Sequence, residues 1–177
     1  MERNFQLDLG DFVLRKPELK DAEAIFRNYT QDAEVTRYLV WKPHRSLEDS
    51  QKWIHHCIQT FDVETNLTLV IVGKATDEAI GMIGAKVTGH QAAIGYVLAK
   101  PYWGKGIMTQ ALRALVKELL SRPAVFRVYA LHDLENPASG RVMDKAGMVY
   151  EGVLKRAAIH PNISDKPRDS KLYAKTK

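Results

Sequence analysis

One stretch of this 177-residue chain brings together residue types able to hold a phosphorylated ligand. It runs Ile94-Gly95-Tyr96-Val97-Leu98-Ala99, then Tyr102-Trp103-Gly104-Lys105-Gly106-Ile107-Met108-Thr109. The order reads as a strand, a tight loop with two glycines, and the start of a helix. The first amides of a helix have no partner inside it, and they lie at the positive end of its dipole. With glycines removing side-chain bulk, such a junction can receive phosphate oxygens. A Gly-x-Gly ahead of a helix is, by itself, more often only a tight turn. No Gly-Lys-Ser/Thr follows with P-loop spacing. The third glycine of a dinucleotide fingerprint is missing, and the preceding strand reads antiparallel. The surrounding elements have to decide.

Those elements follow from periodicity. Phe12–Arg15 reads as a short strand, Lys20–Tyr29 as a helix burying Ala22, Ile25, Phe26 and Tyr29, and Asp32–Tyr38 as a further helical turn. Ser46 and Asp49 form a capping-box start to a helix whose stripe is Trp53, Ile54, Cys57, Ile58 and Phe61. On that stripe Trp53 is expected in the core, and Cys57 as a small core residue with an inert thiol. Leu67–Lys74, Ile80–Val87 and Ala92–Ala99 are strand-like and joined by short turns, hence antiparallel hairpins. A helix with the stripe Ile107, Ala111, Leu112, Leu115 and Leu119 runs to about Arg122, where Pro123 stops it. Val125–His132 is a strand, Pro137–Ala146 a helix ended by Gly147, and Met148–Ile159 and Ser170–Thr176 are closing strands around the loop Pro161–Arg168. The fold class expected is α+β, in one domain over residues 1–177.

Composition excludes several classes. With 45% hydrophobic and 27% charged residues the chain is not globally disordered. Its apolar runs are far shorter than the ~20 residues of a spanning helix. Met1-Glu2-Arg3-Asn4-Phe5 does not read as a secretory signal. The lone Cys57 cannot form an internal disulfide, so a cytoplasmic location is expected. No Cys/His spacing suits zinc, so no metal is expected. The net charge of +5 sits entirely in the last elements. From Lys155 onward seven bases face two acids, whereas residues 1–154 are balanced. A basic end of this kind could serve nucleic acid, an acidic membrane surface or a phosphorylated ligand.

Three segments together resemble the GCN5-related N-acetyltransferase (GNAT) superfamily, in its ribosomal-protein (RimJ/RimL-like) branch. They are Ile94-Gly95-Tyr96 leading into Tyr102–Thr109; Asn136-Pro137-Ala138-Ser139-Gly140-Arg141-Val142-Met143 through Met148; and Glu151-Gly152-Val153-Leu154-Lys155-Arg156 with the Asp169 to Tyr173 close. The resemblance implies a mixed, mostly antiparallel seven-stranded sheet flanked by helices. Its fourth strand (Ala92–Ala99) would splay from the fifth (Val125–His132) to admit acetyl-CoA. Tyr96, Val97 and Leu98 would pair with the pantetheine arm. Gly104, Lys105, Gly106, Ile107, Met108 and Thr109 would hold the pyrophosphate, Asn136 would bond across the slot, and Arg141 or Lys145 would meet terminal phosphates. The reaction implied is direct attack of an amine on the thioester, with a strand amide stabilising the oxyanion and no metal.

The branch's helix serine is matched by Ser139, the expected thiolate partner, since the superfamily's alternative tyrosine is replaced by Met143. Two positions where relatives carry a carboxylate base are Ala93 and Ala158. His160, two residues beyond Ala158 and so on the same strand face, is the substitute base, with Glu151 and His132 as weaker candidates. Tyr38 and Trp41 could line the acceptor side. The favoured acceptor is a peptide or protein N-terminal amine. The alternatives are a small amine, such as an aminoglycoside or polyamine, and a non-catalytic acyl-CoA- or RNA-binding module. No membrane is expected as partner, nor nucleic acid; monomer and homodimer stay open.

Overall fold

The computed structural model describes residues 5–177. The leader expectation concerns residues 1–5 and so falls, except for Phe5, outside the described residues. The described chain builds one eight-stranded sheet, one strand more than expected. The extra strand is β1 (Gln6–Asp8), paired antiparallel to β2 (Phe12–Arg15). It has three residues and no apolar alternation long enough to announce itself. The sheet continues through β3 (Asn66–Gly73), β4 (Glu78–Thr88), β5 (Gln91–Leu98) and β6 (Arg127–Asp133). The last strand, β8 (Arg168–Thr176), inserts between β6 and the edge strand β7 (Val149–Ala158).

Helices cover both faces. On one lie α1 (Asp21–Ile25), α2 (Ala33–Thr36) and α3 (Leu47–Gln59). The expected helix over Lys20–Tyr29 keeps only α1 in the α form and widens to a π turn over Phe26–Thr30. The Ser46/Asp49 capping box opens α3 as expected. Ile25, Tyr29, Ile54 and Cys57 pack with Val70, Val72 and Met82 to form this layer. Burial pushes the Cys57 thiol up to about 12, which leaves it protonated and inert. On the other face α4 (Ile107–Ser121) and α5 (Pro137–Lys145) pack Leu112, Leu115 and Met143 against Ile83, Val128 and Ala130. Neighbouring residues of β4 (Met82, Ile83) therefore feed opposite layers, as the two-residue period of a strand requires.

The sheet is split. β5 pairs with β4 along its whole length, from Thr88↔Gln91 to Gly81↔Leu98. It pairs with β6, in parallel, only from Gln91↔Arg127 to Ile94↔Ala130. From Gly95 onward the two strands part, which is the expected splay.

Candidate active site

The gap between β5 and β6 is the floor of a cleft of about 1460 Å³. Strand alternation decides which backbone groups enter it. The His90 carbonyl accepts from Phe126 on the β6 side, and the Ala99 amide donates to Ile80 on the β4 side. Tyr96 and Leu98, in phase with His90, therefore turn their backbone to the gap, and Val97 turns its own to β4. Val97 still lines the cleft, but it cannot pair with a ligand strand as expected. The Leu98 carbonyl already accepts from the Trp103 indole at 2.6 Å, so Trp103 braces the loop.

Gly104 and Gly106 have φ of +73° and +78°, a region other residues resist, and a Cβ on either would meet nothing within 4 Å. Backbone conformation, and not crowding, sets these glycines. Gly106 is the N-cap of α4 and no side chain caps the helix. The first intrahelical bond is Gln110 N–H to the Gly106 carbonyl, so the amides of Ile107, Met108 and Thr109 stay open beside the cleft. The side chains of Ile107 and Met108 are core; only their amides serve here. Lys105 instead lays its ammonium over the Tyr102 ring, 5.4 Å from the centroid. Arg141 and Lys145 line the cleft as expected, and Arg113 joins them from α4. Arg113 escaped the sequence reading because it sits on the polar face of a helix like any solvated base.

At the start of α5 the Asn136 side chain caps the helix. Its Oδ1 accepts from the Ser139 amide at 3.3 Å and its Nδ2 donates to Ser139 Oγ at 3.1 Å. Asn136 is thus engaged locally, and the Ser139 hydroxyl keeps its own proton to donate. Tyr96 Oη donates to the Ser139 carbonyl at 3.1 Å; burial pushes that phenol's pKa up, against a smaller lowering by the Ser139 side chain. His132 lies beneath this turn. An added Cβ at Gly140 would fall 2.8 Å from its Nε2, and its Nδ1 faces the Asp133 carbonyl at 2.8 Å. Burial lowers its pKa.

His160 is 5% exposed and lines the cleft. Its Nε2 lies 3.7 Å from Asp133 Oδ2. Asp133, which the sequence did not single out, is buried at 1% exposure. Burial pushes its carboxyl up, but Arg168 (Nε at 2.6 Å, Nη2 at 3.1 Å) and the Glu135 amide hold it below the ordinary range. Ala93 and Ala158 both line the cleft, where a carboxylate would face it. Glu151 does not belong to this site; it pairs with Arg127 on the sheet edge. Tyr38 and Trp41 line the cleft, and so does Trp53. Trp53 corrects the core expectation: it is 38% exposed beside His56, while Ile54 and Cys57 fill the core.

A sheet opened at one point, with open helix amides on one side and a buried histidine beside a carboxylate on the other, suits a transferase that passes an acyl group through the slot. The chain belongs to the GNAT acetyltransferase family, whose domain model matches residues 11–149. It is an acetyl-CoA-dependent N-acetyltransferase. An uncharacterised N-acetyltransferase of Bacillus subtilis is 30% identical over 95% of this chain and 94% of its own. The ribosomal-protein-serine acetyltransferase of Escherichia coli is 33% identical over 56% of this chain and 55% of its own. The solved microcin C7 self-immunity acetyltransferase, in complex with acetyl-CoA and AMP, superposes with a TM-score of 0.84 at 26% identity, covering 96% and 94% of the two chains.

Proposed function

We propose that the chain acetylates the α-amine of a peptide or protein N-terminus. The observation that carries this reading is the charge state of the cleft. Each acid lining it is already engaged: Glu34 by Lys100, Asp133 by Arg168, and Glu135 by the same Arg168 at 3.1 Å. Glu34, Asp133 and Glu135 against Lys100 and Arg168 leave one negative charge, enough for a single ammonium and too little for a polyamine or aminoglycoside with several. A chain with one amine and an apolar or neutral continuation suits Tyr38, Leu39, Val40 and Trp41.

Acetyl-CoA supplies the thioester whose acetyl group the amine takes. The backbone of Tyr96 and the amide of Leu98 would hold its arm, the amides of Ile107–Thr109 its pyrophosphate, and Arg113, Arg141 and Lys145 its outer phosphates. The Ser139 hydroxyl would hydrogen-bond the departing sulfur, and the proton that the thiolate takes up is the second one lost by the attacking nitrogen. His160 takes the proton that the ammonium must lose before nitrogen can attack. An α-amine, with a reference pKa near ~8, gives up that proton to a weak base, which suits a site with alanine at both carboxylate positions.

One observation favours a second reading. Three aromatic residues, Tyr38, Trp41 and Trp53, line the acceptor side, and the related microcin immunity enzyme was solved with AMP. An α-amine carried on a nucleotide would offer these rings a base to stack on. A thiol-release assay on N-terminal peptides, polyamines, aminoglycosides and an α-aminoacyl nucleotide tests both readings. Peptides should turn over, and polyamine or aminoglycoside turnover without peptide turnover would overturn the proposal. His160→Ala should lower kcat on peptides about a hundredfold or more, the scale of a lost general base; an unchanged kcat removes His160 as base.

A further inference from the structure

The acceptor end of the cleft holds buried polar atoms that no protein group satisfies. Both ring nitrogens of His160 and the hydroxyl of Ser170 have no hydrogen-bond partner among the described residues. The two residues are 5% and 1% exposed, and both line the cleft. Buried polar groups in native proteins are almost always bonded, so an unbonded set of this kind calls for a ligand. Ser170 is the direct cross-strand partner of Asp133, so the two side chains leave the sheet on the same face. That face is opposite the one where Val128 and Ala130 pack under α4 and α5. His160 Nε2 approaches the same Asp133 oxygen at 3.7 Å, too long for a hydrogen bond.

We propose that Asp133, His160 and Ser170 form a seat for a single primary ammonium group, the acceptor amine in the form in which it arrives. This rests on the acetyl-transfer reading above. An ammonium has three N–H donors, and the seat offers three acceptors: Asp133 Oδ2, a neutral His160 nitrogen and Ser170 Oγ. The sign of the charge agrees. Asp133 and Glu135 share one guanidinium, Arg168, so the group keeps one net negative charge, enough for one cation. A divalent metal suits the site poorly, because His132 lies on the other face of the sheet, which leaves Asp133 and His160 short of the three or four protein ligands such an ion takes. An anion would meet the net negative charge. Once seated, the ammonium passes one proton to His160, which becomes imidazolium; the lone pair is freed where that proton was, and the neutral amine leaves the seat to turn it toward the thioester carbonyl.

The seat can be tested without knowing the acceptor. The ring resonances of His160, assigned with His160→Gln, are followed by NMR while methylammonium chloride is added, with tetramethylammonium chloride as the control at equal ionic strength. Methylammonium should give a saturable shift of His160, and tetramethylammonium, which has no N–H, should give none. Ser170→Ala, whose folding is checked by its thermal transition, should weaken methylammonium roughly fivefold, the loss expected of one hydrogen bond. No shift, an equal shift with tetramethylammonium, or unchanged affinity in Ser170→Ala overturns the seat. Peptide turnover with a silent His160 defeats the seat and leaves the acetyl-transfer reading standing. A responding His160 with no amine acetylated does the reverse.

Discussion

At Gly140 the backbone of α5 comes so close to the His132 ring that no side chain fits between them. A methyl there would lie 2.8 Å from Nε2 and 3.2 Å from Cε1, and the ring cannot swing away freely because Tyr173 stacks 5.6 Å from it. Ser139, the residue before, would move with the helix turn. Gly140→Ala, though favourable by helix propensity, is therefore expected to destabilise by about 1–3 kcal/mol, the usual cost of overpacking. The midpoint of urea unfolding measures it. Turnover should fall further than stability alone accounts for, because the hydroxyl proposed to meet the sulfur, that of Ser139, is displaced. An unchanged midpoint would mean that the His132 ring relocates at no cost.

At the scale of elements, one side-chain amide ties the turn between Thr36 and Trp41 to the loop between β7 and β8. Asn162, in the loop between β7 and β8, donates from Nδ2 to the Thr36 carbonyl at 2.7 Å and to the Trp41 carbonyl at 2.8 Å. The turn between those carbonyls carries Arg37, Tyr38, Leu39 and Val40 into the cleft. Both bonds use hydrogens of one NH₂ group, so Asn162→Asp, nearly identical in shape, removes both and sets a carboxylate against two carbonyls. The expected result is an acceptor KM raised about tenfold or more with the acetyl-CoA KM unchanged, read by steady-state kinetics; equal changes in both would refute the clasp. This clasp also shows what a sequence conceals. The glycine loop and the α5 start are local patterns, legible because each lies within some fifteen residues, whereas the splay of β5 from β6 comes only with the family resemblance. The Asn162 bonds span 126 and 121 positions, and Asp133 becomes notable only once β8 brings Arg168 and Ser170 against it. Trp53 was misplaced for a related reason: periodicity tells which side of a helix is apolar, but not where the covering layer ends.

For the molecule as a whole, the sheet acts as a partition with one opening. Ser139, His132 and the open end of α4 lie on the α4/α5 face; His160, Asp133 and the Trp41 turn lie on the other. The basic closing segment belongs to this body. Lys155 pairs with Asp169, Arg168 with Asp133, Lys171 lies over the Tyr150 ring and Lys177 over Phe126. Its surplus charge is therefore distributed along β7 and β8 and is not gathered at the α4 helix start. A partition makes the two substrates separable by mutation. Arg141→Ala, on the α5 side, should raise the KM for acetyl-CoA several-fold, the scale of one exposed charge on a phosphate, and leave the acceptor KM alone. Trp41→Ala should do the opposite, through lost apolar contact. Because the proposal gives the two residues separate ligands and no shared partner, the double variant should show the product of the two effects on kcat/KM. Coupling between them beyond about 0.5 kcal/mol would mean that the two faces communicate through the slot, and the sheet could then no longer be treated as a rigid wall between two independent sites.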